Sequence, residues 1–215
     1  MDYQKNIEKI PQVLRCAVTL GKFDGLHRGH QKLIQRVLEK KEQGLSAVVF
    51  AFDQSNRMIL SHEERRAKLE TMGVDLFLEC PLNERLRHML PEVFVKEILV
   101  DRLHVGFLAV GQDFRFGYER KGNAQLLQKM GQQYDFQVEV IPDETDGKRK
   151  ISSTYVREQL NEGKVEKVAE LLGEYFSTTG EVLHGRGLGH RKLMPTTNLV
   201  PPKEKLMPPN GVYIT

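Results

Sequence analysis

The 215-residue chain has no tryptophan, two cysteines and a net charge of only +3. Nowhere does it carry a run of about 18 consecutive apolar residues, so no membrane-spanning helix is expected. Its first dozen residues are too polar for a secretory leader, which makes the cytoplasm the expected compartment. Cys16 and Cys80 stand singly in apolar surroundings without the spacing of metal ligands. Buried free thiols are therefore expected in preference to a disulfide, as suits a reducing compartment. The mild positive charge, without a basic run, suits an anionic small molecule and argues against nucleic acid. Apolar residues at 40% and charged ones at 28% describe an ordinary globular chain. Nothing in the composition sets an oligomeric state.

What the chain does have is one dense stretch near its start. An apolar strand at residues 17–20 runs into a turn with glycines at 21, 25 and 29, and then into a helix with Leu33, Ile34, Val37 and Leu38 on one face. His27 and His30 are three residues apart at that helix start, so both can lie on one side of its first turn. Unpaired backbone N–H groups and the positive end of the helix dipole gather there, a ready place for phosphate. Two imidazoles can add hydrogen bonds, and Gly25 and Gly29 clear the approach. Two surface histidines on an ordinary turn remain the plain alternative.

Strands and helices then alternate. Residues 45–52 (LSAVVFAF) read as a strand buried on both faces. Ser61 with Glu64 forms a capping box, opening a helix that Gly73 closes. Strands are expected at residues 74–79, 105–110 and 136–141. Pro91 marks a helix start, and Asn123 caps a further helix. Ser152 or Ser153 opens a short helix, and residues 165–172 form the last. This order implies an α/β fold, a parallel sheet covered by helices on both faces, with ligands at the carboxyl ends of the strands. Residues 1–13 read as a polar lead-in. After Gly173 the chain becomes rich in Gly, Pro and Thr, as short strands of a small β-barrel would be, with residues 213–215 beginning another strand.

Two later loops carry further polar chemistry. Residues 110–123 interleave Phe114, Phe116 and Tyr118 with Arg115 and Arg120, a pattern that suits a planar heterocycle bearing phosphate. Aromatics packed under a surface loop would look the same. Residues 151–157 place Ser152, Ser153 and Thr154 at a helix start with Arg157 one turn on, able to grip phosphate or merely to cap the helix.

His27-Arg28-Gly29-His30 after a strand resembles the signature of the HxGH nucleotidyltransferase superfamily. The longer form, Gly21-Lys22-Phe23-Asp24-Gly25-Leu26-His27-Arg28-Gly29-His30, resembles the FAD synthetase module of the bacterial bifunctional riboflavin kinase/FMN adenylyltransferases. Asp113-Phe114-Arg115-Phe116-Gly117 is similar to that family's flavin loop, and Ile151-Ser152-Ser153-Thr154-Tyr155-Val156-Arg157 to its second phosphate signature. The resemblance implies a Rossmann-like domain over residues 1–173, in which the FMN phosphate attacks the α-phosphorus of ATP to give FAD and pyrophosphate with Mg²⁺. It also implies roles for residues. His27, His30 and Arg157 would be catalytic. Gly21, Phe23, Asp24, Gly25, Ser153 and Thr154 would join these three around ATP, with Phe23 and Asp24 on the adenosine side. Asp113, Phe114 and Phe116 would hold FMN. Mg²⁺ would be bound through substrate phosphates.

Departures are visible as well. Tyr155 and Asn123 replace residues common in the family, and residues 52–57 lack its usual prolines. Residues 179–187 and 195–199 look like the opening of the riboflavin kinase barrel, with Thr196 and Asn198 at its Mg·ATP positions. That segment, residues 177–215, is short for a barrel, so kinase activity is not expected. Two alternatives stand beside FAD synthesis: another HxGH adenylyltransferase, and an impaired flavin- or nucleotide-binding remnant. Partners are expected to be nucleotides and flavins, without nucleic acid or membrane.

Overall fold

In the computed structural model, residues 1–7, 10, 15–53, 57–183 and 197–214 are described. Strands β1 (Asp2–Gln4), β2 (Cys16–Gly21), β3 (Ser46–Asp53), β4 (Leu76–Pro81), β5 (Val105–Gly111) and β6 (Gln137–Ile141) form one sheet in the order β1-β4-β3-β2-β5-β6. Every pairing in it is parallel. Parallel neighbours need crossovers, and the helices supply them: α1 (Arg28–Glu39), α2 (His62–Thr71), α3 (Glu84–His88), α4 (Pro91–Val93, continuing as a π-helical turn, Phe94–Val100) and α5 (Ala124–Tyr134). Chain order reverses at β2, with β3 on one side and β5 on the other. Such a switch point opens a crevice at the strands' carboxyl ends.

The alternating faces of the central strands bury apolar side chains both ways. One face packs Val18, Leu20, Phe50 and Leu108 against Phe94, Ile98, Leu99 and Leu127 of α4 and α5. On the other, Ala17, Ala47, Val49 and Phe77 meet Ile34 and Val37 of α1 and Leu69 of α2. Two further helices, α6 (Ser153–Asn161) and α7 (Val165–Leu172), join Ile59, Ile151 and Leu206 in a separate cluster. The expected Rossmann-like α/β layering is thus the one observed.

Local signals place most element ends. Ser61 and Glu64 form the reciprocal capping box of α2, Asn123 caps α5, and Ser152 caps α6 by accepting from Tyr155 N. Gly44, Gly73 and Gly173 turn the chain with positive φ at the ends of helical segments. Cys16 and Cys80 are free, buried thiols, their pKa values pushed up to about 12 by burial; the Cys16 thiol donates to Leu103 O at 2.7 Å.

Several expectations need correcting. Residues 2–4 are no lead-in: they form the edge strand β1, which is too short and polar to show a period. The third strand runs over Leu76–Pro81 instead of residues 74–79, because Val74 is still bonded back to Leu69 O after the turn at Met72 and Gly73. A hairpin, β7 (Thr145–Asp146) and β8 (Arg149–Lys150), separates β6 from the residue 151–157 loop, which therefore follows a hairpin strand. Beyond α7, β9 (Glu181–Leu183) and β10 (Asn198–Val200) pair antiparallel, as expected of a barrel segment. Residues 213–214 lie outside any strand, and Ile214 is fully exposed.

The C-terminal stretch nevertheless touches the main body. Lys205 is buried, donates to Glu64 Oε2 at 2.6 Å and to Ser177 O at 2.7 Å, and lies over the Phe176 ring. Met58 N donates to Glu204 O and Leu206 N to Met58 O, at 2.6 and 2.7 Å.

Candidate active site

The turn between β2 and α1 is built under backbone tension. Phe23 and Leu26 have φ of 50° and 46°, and Gly25 has φ of 81°. A Cβ on Gly25 would meet Ile59 at 2.9 Å, so glycine is required by conformation and by space. Phe23 and Leu26 are fully buried and pin the turn into the core. Asp24 ties it to neighbours. Its Oδ1 accepts from Ile59 N at 2.8 Å, and its Oδ2 accepts from Arg157 Nε and Nη2 at 3.1 and 2.5 Å. Its carbonyl accepts from Ser153 Oγ at 2.9 Å.

This clasp presents the two histidines. His27 stands at the N-cap of α1 without capping it, and its ring stacks on His30 with centroids 3.7 Å apart. His30 also touches Phe23, ring to ring at 5.0 Å. His27 is 6% exposed, and the Nδ1 atoms of both rings are buried without a hydrogen-bond partner among the described residues. Burial, with Lys150 nearby, pushes the His27 pKa down to about 4. Burial, the stacked His27, Arg65 and Lys150 hold His30 well below its ordinary value. Both rings are neutral at pH 7. Each can give one N–H and accept at the other nitrogen.

They face a cavity of about 260 Å³ at the carboxyl ends of β2, β5 and β6. It is lined also by Gly21, Lys22, Asp113, Phe114, Asp143, Lys150, Ser152 and Ser153. Lys150 crosses it, paired with Asp113 at 2.6 Å and Asp143 at 2.7 Å. A second cavity, about 430 Å³, adjoins the first through Gly21, Lys22, Asp113 and Phe114. Its walls are apolar and aromatic: Phe52 of β3, Leu86 of α3, Met89, Phe94 of α4 and Phe116, with Arg87, Arg115 and Arg120 at its rim. Phe114 and Phe116 stack with centroids 5.6 Å apart and a 14° tilt.

Of the residues singled out in the sequence, Gly21, His27, His30, Ser153, Asp113 and Phe114 line the first cavity, and Phe116 joins the second. Phe23, Asp24, Gly25, Thr154 and Arg157 line neither. Arg157 grips Asp24, and its Nη2 donates to Arg57 O at 2.6 Å. Asn198 is exposed in β10, far along the chain from these cavities, and Thr196 lies outside the described residues. Sequence reasoning passed over Lys22, Lys150, Phe52, Phe94 and the α3 residues. Lys150 directly precedes the Ile-Ser-Ser-Thr stretch, a basic residue beside a phosphate-type loop that could have been noted. The resemblance set the stretch opening at Phe52 beside the nucleotide and flavin, but its missing prolines kept any residue of it from being assigned; nothing in the sequence linked Phe94 to the others.

With this geometry in view, likeness to known proteins becomes informative. Residues 9–155 match the family model described as FAD synthetase, and residues 172–215 the one described as riboflavin kinase. A bifunctional riboflavin kinase/FMN adenylyltransferase from Escherichia coli (strain K12) is 36% identical, across 97% of this chain and 69% of that protein. The chain belongs to the bacterial bifunctional riboflavin kinase/FMN adenylyltransferase family. The Pseudomonas fluorescens member is 38% identical, across 95% of this chain and 68% of its own length. A crystal structure from Streptococcus pneumoniae, described as a macrolide-efflux protein, superimposes with a TM-score of 0.84 at 30% identity, covering 99% of this chain and 72% of that one. The efflux description is said of that protein alone. Among the described residues no helix is long and apolar enough to cross a membrane. Family membership makes the chain an enzyme of the nucleotidyltransferase class, with nucleotides and flavins as its small-molecule partners.

Proposed function

We propose that the chain transfers the adenylyl group of ATP to the phosphate of FMN, giving FAD and pyrophosphate. One observation carries this reading: a polar cavity faced by two imidazoles, whose buried Nδ1 atoms have no hydrogen-bond partner among the described residues, adjoins an aromatic one. The first suits a polyphosphate and the second a flat heterocycle. Their junction is where an acceptor phosphate would meet the α-phosphorus.

An oxygen of the FMN phosphate attacks that phosphorus, and the bond to the β-phosphate oxygen breaks as pyrophosphate leaves. The attacking phosphate is already ionised near pH 7, so no strong base is required. Catalysis then rests on alignment and on stabilising the spreading charge. His27 and His30 give hydrogen bonds to phosphate oxygens, and burial keeps them neutral and oriented. Ser152 and Ser153 bring the start of α6 to the same cavity. Arg157, through Asp24, holds the glycine turn in shape. Asp113 and Asp143 carry the hard oxygen donors that Mg²⁺ prefers but are each paired with Lys150, so the ion would be held mainly by phosphate oxygens and water. When bound, Mg²⁺ neutralises charge on the triphosphate.

The two family matches, residues 9–155 and 172–215, support a division into an adenylyl-transfer unit over residues 1–173 and a kinase-type segment over residues 177–215. The test of the reading is chromatography of FMN with Mg·ATP, and of riboflavin with Mg·ATP in parallel. FAD from the first mixture is the expected result. No FAD from folded protein that still binds ATP would overturn it.

A further inference from the structure

The reaction brings two anions together, and the site must supply positive charge where they meet. Around the polar cavity the basic side chains are Lys22, His27, His30 and Lys150; around the aromatic one they are Lys22, Arg87, Arg115 and Arg120. Lys22 alone among the described residues belongs to both sets. Arg120 lines the aromatic cavity alone, and most of the others have prior commitments. Lys150 is held by Asp113 and Asp143, Arg87 Nε donates to Leu82 O at 2.8 Å, and Arg115 Nη1 donates to Phe114 O at 3.0 Å. The two imidazoles bring hydrogen bonds without charge.

Lys22 differs in being both anchored and open. Its carbonyl accepts from Arg65 Nη1 at 3.1 Å. Arg65 is 1% exposed and pairs with the buried Glu79 carboxylate, which also accepts from the Tyr3 hydroxyl and meets His62 Nδ1 at 2.6 Å. The backbone of residue 22 is thereby tied to the core between β4 and α2. Its side chain is exposed and has no hydrogen-bond or ion-pair partner among the described residues. A fixed root with a free ammonium is what a flexible four-carbon stem needs to find phosphate at a defined place.

We propose that Lys22 holds the acceptor's phosphate at the junction of the two cavities and so sets the preference for a phosphorylated over an unphosphorylated flavin. This assignment rests on the flavin reading of the aromatic cavity. It makes Lys22 a catalytic residue by contact with the acceptor. It is also consistent with Asp113, which lines the same junction, being paired with Lys150.

The experiment is a flavin-fluorescence titration of the full chain with FMN and, separately, with riboflavin, for wild type, Lys22→Met and Lys22→Arg. A charge-assisted contact to phosphate is expected to make wild type prefer FMN. Lys22→Met should weaken FMN about 10- to 100-fold, leave riboflavin unchanged, and raise the KM for FMN to match. Lys22→Arg should restore most of the preference. An unaltered FMN-to-riboflavin ratio in Lys22→Met, with or without a common loss of affinity, overturns the proposal while the flavin reading stands. Wild type that binds neither flavin overturns the reading, and the proposal with it.

Discussion

The two adjoining cavities are made in opposite ways. The polar one draws much of its wall from short contiguous stretches, residues 20–22, 27–33 and 150–153, at the starts of α1 and α6. The aromatic one joins a single loop, residues 113–120 after β5, to residues drawn from β3, α3 and α4. In the first, buried nitrogen atoms without partners are kept at the expense of stability. In the second, apolar and aromatic walls predominate, with charged side chains of Lys22, Arg87, Arg115 and Arg120 beside them. The difference separates the groups positioned to stabilise a developing charge from those that only hold a ring.

Mutations can test that separation. His30→Ala should lower kcat by about 10²–10³, comparable to loss of a preorganised donor, with little change in the KM for FMN. A main effect on KM would mean that the polar cavity binds without catalysing. Next in size is a pH effect on stability. The folded-state pKa of His27 is about 4, below the ordinary 6.5. Between those values the unfolded chain binds the additional proton, so stability is full above pH 6.5 and falls as pH drops towards 4. This side chain accounts for about 3 kcal/mol of that loss. Denaturant titrations at pH 7, 5.5 and 4.5 should show a markedly shallower fall for His27→Gln than for wild type; equal slopes would contradict the buried neutral imidazole.

Phe114→Ala should act where the two cavities adjoin, since Phe114 lines both. It removes one ring of the stacked pair and should raise the KM for FMN by about 10-fold, with kcat within a factor of about 2. A large drop in kcat would show that the ring also aligns the reacting phosphate. The smallest effect belongs to Ser61→Ala, which lies on neither cavity wall. Loss of half the capping box of α2 should cost about 1 kcal/mol of stability, read from the urea midpoint, without changing turnover.

Legibility in the sequence followed the range of the forces involved. The capping box at Ser61 and Glu64, the cap at Asn123 and the glycine stops depend on neighbours within a few residues, and they stand where local chemistry puts them. So does the strand–turn–helix frame of His27 and His30. Strand β1 and hairpin β7–β8 were illegible, since two or three polar residues carry no period and pair only because a partner is in reach. Arg157 was legible as a basic residue one turn into α6, whereas its grip on Asp24 depends on how α6 docks against the glycine turn.

By itself, the sequence determined the layer architecture, the glycine turn and the presence of two phosphate-type loops, all consequences of periodicity and of short-range hydrogen bonding. Tertiary structure alone decided which residues meet across it. It seats Phe52, Phe94 and Phe116 around one space, sets Lys150 between Asp113 and Asp143, and leaves the Lys22 ammonium at the junction without a partner among the described residues. The physical reason is that long-range neighbours are selected by packing of the whole sheet and its helices, and no local stretch encodes a contact whose partner lies tens of residues away.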